Sequence, residues 1–337
     1  MPTLKTPLQT APSTTPSWQQ QLREIRDVAS LFSASDLAPV DNESIEQAHK
    51  LFNARVPQAF INRAELGNAK DPLLLQVLPQ AQELLTHSDF SHDPVGDHAA
   101  IKTDGVLHKY HGRVLLITTG ACAIHCRYCF RRHFPYSESH IGGQRLKAAI
   151  DYIKNDTSIS EVILSGGDPL TLSNTNLKHI TGQLRPIQHI KRLRIHTRIP
   201  VVLPDRIDTG LIDWLGDIRQ QVSVVIHANH ANEIDENVRS VLSQIHATGA
   251  VLLNQSVLLK GINDSTSSLT ALSERLFECR VIPYYLHLLD RVEGAMHFDV
   301  DNDTARALIK HLQNNLPGYL VPKLVRENAG HKSKTPL

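Results

Sequence analysis

The sequence predicts an α/β fold in which six parallel strands curl into an open, partial (βα)6 barrel of the TIM type. Six short β-branched runs recur after position 110. Apart from a longer first interval, their starts lie about 30 residues apart, and this spacing is the length of one βα unit. Amphipathic stretches such as Leu146–Lys154 and Glu233–His246 fill the intervals. A complete eight-unit barrel needs about 250 residues, more than this part of the chain supplies.

The predicted strands follow one another along the chain at Val114–Thr118, Glu161–Leu164, Leu193–His196, Val222–His227, Val251–Val257 and Val281–Leu288. A further strand is predicted at Tyr319–Val325. We therefore predict that residues 98–318 form the barrel and that residues 319–337 form a separate C-terminal segment.

The chain before the barrel has two parts. Residues 1–17 are rich in Pro, Thr and Ser, which predicts a flexible tail. Residues 18–97 show a helical pattern: Asp41 is positioned to cap a helix that runs to Phe52, and Asp71-Pro72 to begin another. We expect this region to be a helical extension of the barrel.

Composition excludes several classes of protein. The 337 residues carry a formal net charge of +1, which gives no long-range attraction to nucleic acid or to an anionic membrane. No apolar run approaches the roughly 20 residues that span a bilayer, and the first residues lack the apolar segment of a secretion signal. These features predict a cytoplasmic protein without nucleic-acid or membrane partners, and they are compatible with a homo-oligomer.

Three of the four cysteines, Cys122, Cys126 and Cys129, fall in a C-x3-C-x2-C motif directly after the first predicted barrel strand. Thiolates are the usual ligands of iron–sulfur clusters, and three of them leave one corner of a four-iron cluster open. The alternative is a structural zinc site completed by His125 or His133, although closed zinc sites usually pair their ligands differently. The fourth cysteine, Cys279, is expected to be a small buried residue.

Polar residues also follow the other predicted strands, at the ends where α/β barrels carry their chemistry. The Gly-Gly-Asp turn after the second strand lets a ligand approach the backbone closely, and Asp168 could accept hydrogen bonds from an amine or from ribose hydroxyls. These strand-end segments are Ser165-Gly166-Gly167-Asp168-Pro169, His196-Thr197-Arg198, His227-Ala228-Asn229, Asn254-Gln255-Ser256 and Asp290. Their recurrence predicts one shared pocket.

The cysteine motif, with Tyr128 and Phe130 beside its last ligands, resembles the radical S-adenosylmethionine superfamily. From about Asp93 to Leu337 the chain more specifically resembles lysine 2,3-aminomutase. The segments that carry this resemblance are Cys129-Phe130-Arg131-Arg132, Ser165-Gly166-Gly167-Asp168-Pro169-Leu170, His196-Thr197-Arg198, the run from Asn254 to Asp264, and Lys334-Thr335-Pro336. Within this family the chain looks most like the bacterial branch that supplies (R)-β-lysine for modification of elongation factor P.

The resemblance implies three cofactors, namely a [4Fe-4S] cluster on the cysteines, S-adenosylmethionine and pyridoxal 5′-phosphate. Lys334 matches the lysine that binds the pyridoxal aldehyde, in preference to Lys332, and Arg113 matches the phosphate-binding arginine. The other expected cofactor-binding residues are Ser165, Gly166, Gly167, Asp168, His196, Arg198 and Gln255.

The substrate implied by the resemblance is L-lysine. Arg131 matches the residue that binds its α-carboxylate, and Asp290 matches one of two aspartates that receive its ε-ammonium. Glu327 stands where the family has the second aspartate, and Asn328–Ser333 replaces a glycine-rich stretch of the family. The expected partners are an electron donor such as flavodoxin or ferredoxin, together with elongation factor P and its β-lysine ligase.

Two other functions fit the residues. One is a radical enzyme that does not use pyridoxal phosphate. The other is a non-catalytic zinc protein that delivers partners to the translation apparatus.

Overall fold

In the computed structural model, which describes residues 17–22, 27–38, 42–136 and 142–337, the predicted partial barrel is confirmed. One sheet contains the ten strands of the described part in sequence order. The strands are β1 (Ile101–Thr103), β2 (Val106–Tyr110), β3 (Arg113–Thr119), β4 (Glu161–Gly166), β5 (Arg192–Thr197), β6 (Gln221–Ile226), β7 (Val251–Val257), β8 (Ile282–His287), β9 (Lys323–Arg326) and β10 (Thr335–Pro336).

Strands β3 to β9 pair in parallel, and each of β3 to β8 is followed by at least one helix. The barrel helices are α5 (Gln144–Asn155), α6 (Asn174–Leu184), α7 (Ile199–Val202), α8 (Thr209–Gly216), α9 (Glu236–Ala247), α10 (Thr266–Glu278) and α11 (Asn302–Asn315). Side chains of Asp or Ser cap five of them, as in α9, where Asp235 accepts from the backbone N–H of Val238.

The antiparallel strands at both edges were not predicted. β1 and β2 form a hairpin whose two-residue turn is Asp104-Gly105, with a φ of +76° at Gly105. At the other edge, β10 pairs with β9, so that Thr335 lies opposite Arg326. The strand predicted at Tyr319–Val325 corresponds to β9, which begins later, at Lys323, because Gly318–Leu320 forms a 3-10 turn.

The region before the barrel contains α1 (Trp18–Gln21), α2 (Val28–Ala34), α3 (Asn42–Leu51) and α4 (Gln58–Ile61), with 3-10 turns at Leu74–Gln76, Ala81–Leu84 and His98–Ala100. The helix that ends near Phe52 is confirmed, whereas its predicted cap, Asp41, lies outside the described residues, as do residues 1–16 of the expected tail. The second predicted helix is wrong: Asp71 instead accepts from the N–H groups of Leu73 and Leu74 and holds a 3-10 turn.

The main hydrophobic core is shared by the N-terminal region and the barrel. It joins Leu31, Phe60 and Leu73 to buried strand residues such as Leu116 and Ile195, all fully or almost fully buried. Cys279 belongs to the same core, as its expected role requires. No helix of the described residues has the length and apolar character needed to cross a bilayer.

Candidate active site

The three cysteines of the motif lie in the loop after β3 and line one cavity of about 550 Å³. The N-terminal region fixes this loop. Arg127, between two of the cysteines, is fully buried and pairs with Glu83 at 2.6 Å, and Nη1 of Arg55 donates to the carbonyl oxygen of Cys122 at 2.9 Å. Burial, assisted by the neighbouring Cys126, raises the pKa of Cys129 to about 11, so that this thiol keeps its proton until a metal displaces it.

The two histidines considered as a fourth ligand are engaged elsewhere. Nδ1 of His125 lies 2.7 Å from the carbonyl oxygen of Asn53, and its ring stacks on Phe52. His133 stacks on His92, with ring centroids 4.1 Å apart. Within the described ranges, no three His, Cys, Asp or Glu side chains are arranged to hold a single metal ion. The cysteine donors at the cavity are thus three thiols, which fit three corners of an iron–sulfur cluster.

The glycine turn after β4 packs directly against the start of the cysteine loop. A Cβ added at Gly167 would come within 2.3 Å of the carbonyl oxygen of Ala121. Gly166 has a φ of +119°, a conformation that other residues rarely adopt. The absence of side chains leaves backbone groups at the cavity wall, as the predicted cofactor turn requires.

Asp168 is held by four hydrogen-bond donors of the protein. Its Oδ1 accepts from Oγ1 of Thr197 at 2.7 Å and from the N–H of Leu170, and its Oδ2 accepts from the N–H groups of Arg198 and Ile199. Although burial raises the pKa of Asp168 to about 6, these four donors oppose the shift. The carboxylate thus joins the ends of β4 and β5, and its expected contact with an amine or a ribose stays a prediction.

Arg198 follows β5 and is almost fully buried. Its Nη1 lies 2.7 Å from Sγ of Cys126, while Nη2 donates to Gln76 at 2.6 Å and to Glu233 at 2.9 Å. The guanidinium also lies over the ring of Tyr128, 5.8 Å from its centroid. The predicted cofactor residue thus contacts a cysteine sulfur directly.

A chain of ion pairs crosses the cavity wall. Nζ of Lys334 lies 2.5 Å from Oε2 of Glu327, whose Oε1 lies 3.1 Å from Nζ of Lys109. Lys109 also lies 2.6 Å from Oδ1 of Asp97, whose Oδ2 accepts from Nε of Arg131 at 2.7 Å. Although burial opposes ionisation, the ammonium groups of Lys334 and Lys109 lower the pKa of Glu327 to about 2. The carboxylate therefore stays charged throughout the physiological range.

Asp290 lies beyond the end of β8 and faces the same cavity. Its buried Oδ1 has no hydrogen-bond partner among the described residues. Burial, together with the negative charge of Glu327, raises the pKa of Asp290 to about 7. The carboxyl is therefore suited to receive a cationic ligand group.

Curated sequence relatives match nearly the whole chain. The chain is 44% identical to L-lysine 2,3-aminomutase of Escherichia coli (strain K12), with 96% of each chain covered. It is 46% identical to the Haemophilus influenzae protein of the same name over 92% of each, and 34% identical to that of Clostridium subterminale over 95% of this chain and 77% of the relative. The Radical SAM superfamily profile matches residues 116–252.

The chain belongs to the lysine 2,3-aminomutase family of radical S-adenosylmethionine enzymes. This family is one of isomerases that use a [4Fe-4S] cluster, S-adenosylmethionine and pyridoxal phosphate. All fifteen residues that the sequence proposes for the site line the same cavity. Their individual roles remain predictions.

The cavity fits pyridoxal phosphate by the character of its donors. Nζ of Lys334 lies 6.0 Å from the centre of the Tyr285 ring, at the cavity wall formed by the residues before β10. In the described part of the chain Arg113 takes part in no ion pair, and it would hold the phosphate. Nε2 of His196 and Nε2 of His227 are buried and have no hydrogen-bond partner among the described residues, so they are available to a polar ligand. Gln255 lines the same cavity, with its amide nitrogen 3.4 Å from Nε2 of His287.

Sequence reasoning missed Lys109 and Asp97 as parts of the site and left His227 without an assigned role. Lys109 lies on β2, in the hairpin that was not predicted, and its partner Glu327 is 218 residues away. The Asp104-Gly105 turn ahead of Val106–Tyr110 was a signal of this hairpin.

Proposed function

We propose that this chain converts (S)-α-lysine to (R)-β-lysine. The proposal is supported most directly by the distribution of charge around the cavity. Arg131 offers a guanidinium to the α-carboxylate of lysine, and Asp290 and Glu327 offer carboxylates to its ε-ammonium. Lys334 lines the same cavity, where it would hold pyridoxal phosphate beside the substrate's α-amino group.

When bound, the cluster and S-adenosylmethionine supply a hydrogen-abstracting radical, and pyridoxal phosphate supplies an electron system that stabilises the migrating nitrogen. The residues of the chain position these groups. Asp97 holds Arg131 through Nε, and Nη1 lies 3.5 Å from Oγ of Ser165, so that Nη2 would be offered to a carboxylate.

We further propose that the β-lysine is supplied for modification of elongation factor P in the cytoplasm, with flavodoxin or ferredoxin as reductant. This proposal rests on the motif resemblance to the bacterial branch that has this role. A coupled assay tests it: the chain, the β-lysine ligase and elongation factor P should together yield the modified factor. Failure of modification when purified (R)-β-lysine works would contradict the link.

The isomerase activity is tested with protein purified and reconstituted without oxygen. With S-adenosylmethionine, pyridoxal phosphate and a reductant, we expect β-lysine to accumulate from L-lysine. The Cys126→Ala variant should form none, because one corner of the cluster loses its ligand. Normal turnover by that variant would refute the proposal.

Two measurements separate the alternatives. Iron with sulfide and a brown colour distinguish a cluster protein from a zinc protein, which would contain neither. Borohydride trapping of a pyridoxyl group on Lys334 distinguishes this chemistry from that of a radical enzyme without pyridoxal phosphate.

A further inference from the structure

We propose that Arg198 raises the reduction potential of the iron–sulfur cluster by donating a hydrogen bond to the ligand sulfur of Cys126. The first observation is the contact itself, since Nη1 of Arg198 lies 2.7 Å from Sγ of Cys126. Hydrogen bonds to the sulfurs and nearby charge are the means by which proteins adjust cluster potentials.

The second observation is how firmly Arg198 is held. Glu233 and Gln76 take its second terminal nitrogen, and Asp168 takes its backbone N–H at 2.6 Å. Glu233 is itself fully buried and accepts from the backbone N–H groups of Asn229 and His230. A guanidinium held at Nη2 by two buried acceptors, on a backbone held by Asp168, cannot turn away from the sulfur without breaking its buried pair with Glu233.

The sign of the effect follows from electrostatics. Reduction of the cluster adds one electron, and an adjacent cation stabilises the more negative state. Glu233 lies on the other side of the guanidinium and partly offsets its field, so the pair presents a dipole with its positive end toward Cys126. Removal of Arg198 should therefore lower the potential, and neutralisation of Glu233 should raise it.

The test is a redox titration of the anoxically reconstituted cluster, followed by the electron paramagnetic resonance signal of its reduced form. We expect Arg198→Met to shift the midpoint to a more negative value and Glu233→Gln to shift it to a more positive one. Arg194→Met is the matched control, because Arg194 also lines the cavity but pairs with Glu161 at 2.6 Å. Its midpoint should stay near that of the unchanged protein.

The proposal predicts midpoint shifts of opposite sign in Arg198→Met and Glu233→Gln. Structural damage would not change the sign of the shift according to which charge is removed. A midpoint unchanged in Arg198→Met, or moved equally in Arg194→Met, would overturn it. If Arg198→Met takes up no cluster, Arg198→Lys decides. A lysine keeps the charge but cannot span Cys126 and Glu233, so a midpoint more negative than that of the unchanged protein supports the proposal and an unchanged one overturns it. The outcome is independent of which amino acid the enzyme isomerises.

Discussion

Nζ of Lys334 lies 2.5 Å from Oε2 of Glu327, and the two residues face each other across the turn that joins β9 to β10. The pairing places the lysine expected to bind pyridoxal phosphate against a carboxylate expected to bind substrate. One carboxylate therefore serves two cations, Lys334 and Lys109, before any ligand enters.

Replacement of Lys334 by methionine should abolish both pyridoxal binding and β-lysine formation, because the neighbouring amine of Lys109 is held between Asp97 and Glu327. Borohydride treatment followed by peptide mass analysis should find no pyridoxyl group. Lys332→Met is the control, since Lys332 is exposed and does not line the cavity. Labelling at Lys332 in the Lys334→Met variant would contradict the assignment.

Lysine binding should strengthen as the pH rises through about 7, because burial first, and then Glu327, raise the pKa of Asp290 to that value. Only the ionised carboxylate attracts the ε-ammonium strongly. The measurement is KM for lysine between pH 6 and pH 8.5. In Asp290→Asn this pH dependence should disappear and KM should be high throughout; a pH dependence that persists would assign it to another group.

The raised pKa of Asp290 also affects the stability of the folded protein. A carboxyl whose pKa is raised in the folded protein lowers stability as the pH rises from its unfolded value of about 4 through about 7. Asp290→Asn should therefore gain stability relative to the unchanged protein at pH 8, on the order of 2–4 kcal/mol, and little at pH 4. Urea unfolding of the apoprotein at both pH values measures this difference.

Gly167→Ala should reduce the cluster content, because the new Cβ would lie 2.3 Å from the backbone oxygen of Ala121 at the start of the cysteine loop. Backbone must move to admit it, which we expect to cost about 1–3 kcal/mol of stability. Iron and sulfide per chain measure the effect. Gly182→Ala, within α6, has nothing within 4 Å of its Cβ and should gain about 0.5–1 kcal/mol with full cluster content.

Glu83→Gln should destabilise the protein by about 3–5 kcal/mol, because it leaves the buried guanidinium groups of Arg127 and Arg132 without their shared carboxylate. Arg127 lies between two cluster cysteines, so cluster content should fall as well. Urea unfolding and iron analysis check both effects.

The control for that experiment is an ion pair in water. Arg185 and Asp217 are more than half exposed, so Asp217→Asn should change stability by at most about 0.5 kcal/mol. Equal losses in the two variants would contradict the importance assigned to burial.

The six βα units and the position of the cysteine loop could be predicted because strand period and motif spacing are local properties. The hairpin β1–β2 was missed although Asp104-Gly105 is a typical two-residue turn. The helix predicted after Asp71 failed because its side chain bonds the next backbone groups and favours a tight turn.

The pairings inside the site were beyond sequence reasoning. Lys109 meets Glu327 across 218 residues, and Gln76 meets Arg198 across 122. Such contacts depend on the curvature of the whole sheet, which no local pattern specifies. The polar strand ends identified the cavity, but the identity of each partner required the folded chain.

The pairing register between β9 and β10 fixes the direction of the Lys334 side chain. Thr335 pairs with Arg326 and Pro336 with Val325, so Lys334 stands opposite Glu327 and both point to the same face. Because side chains alternate along a strand, a slip of β10 by one residue against β9 would turn Lys334 away from Glu327. The pairing of these two short strands thus decides whether the amine reaches the cavity.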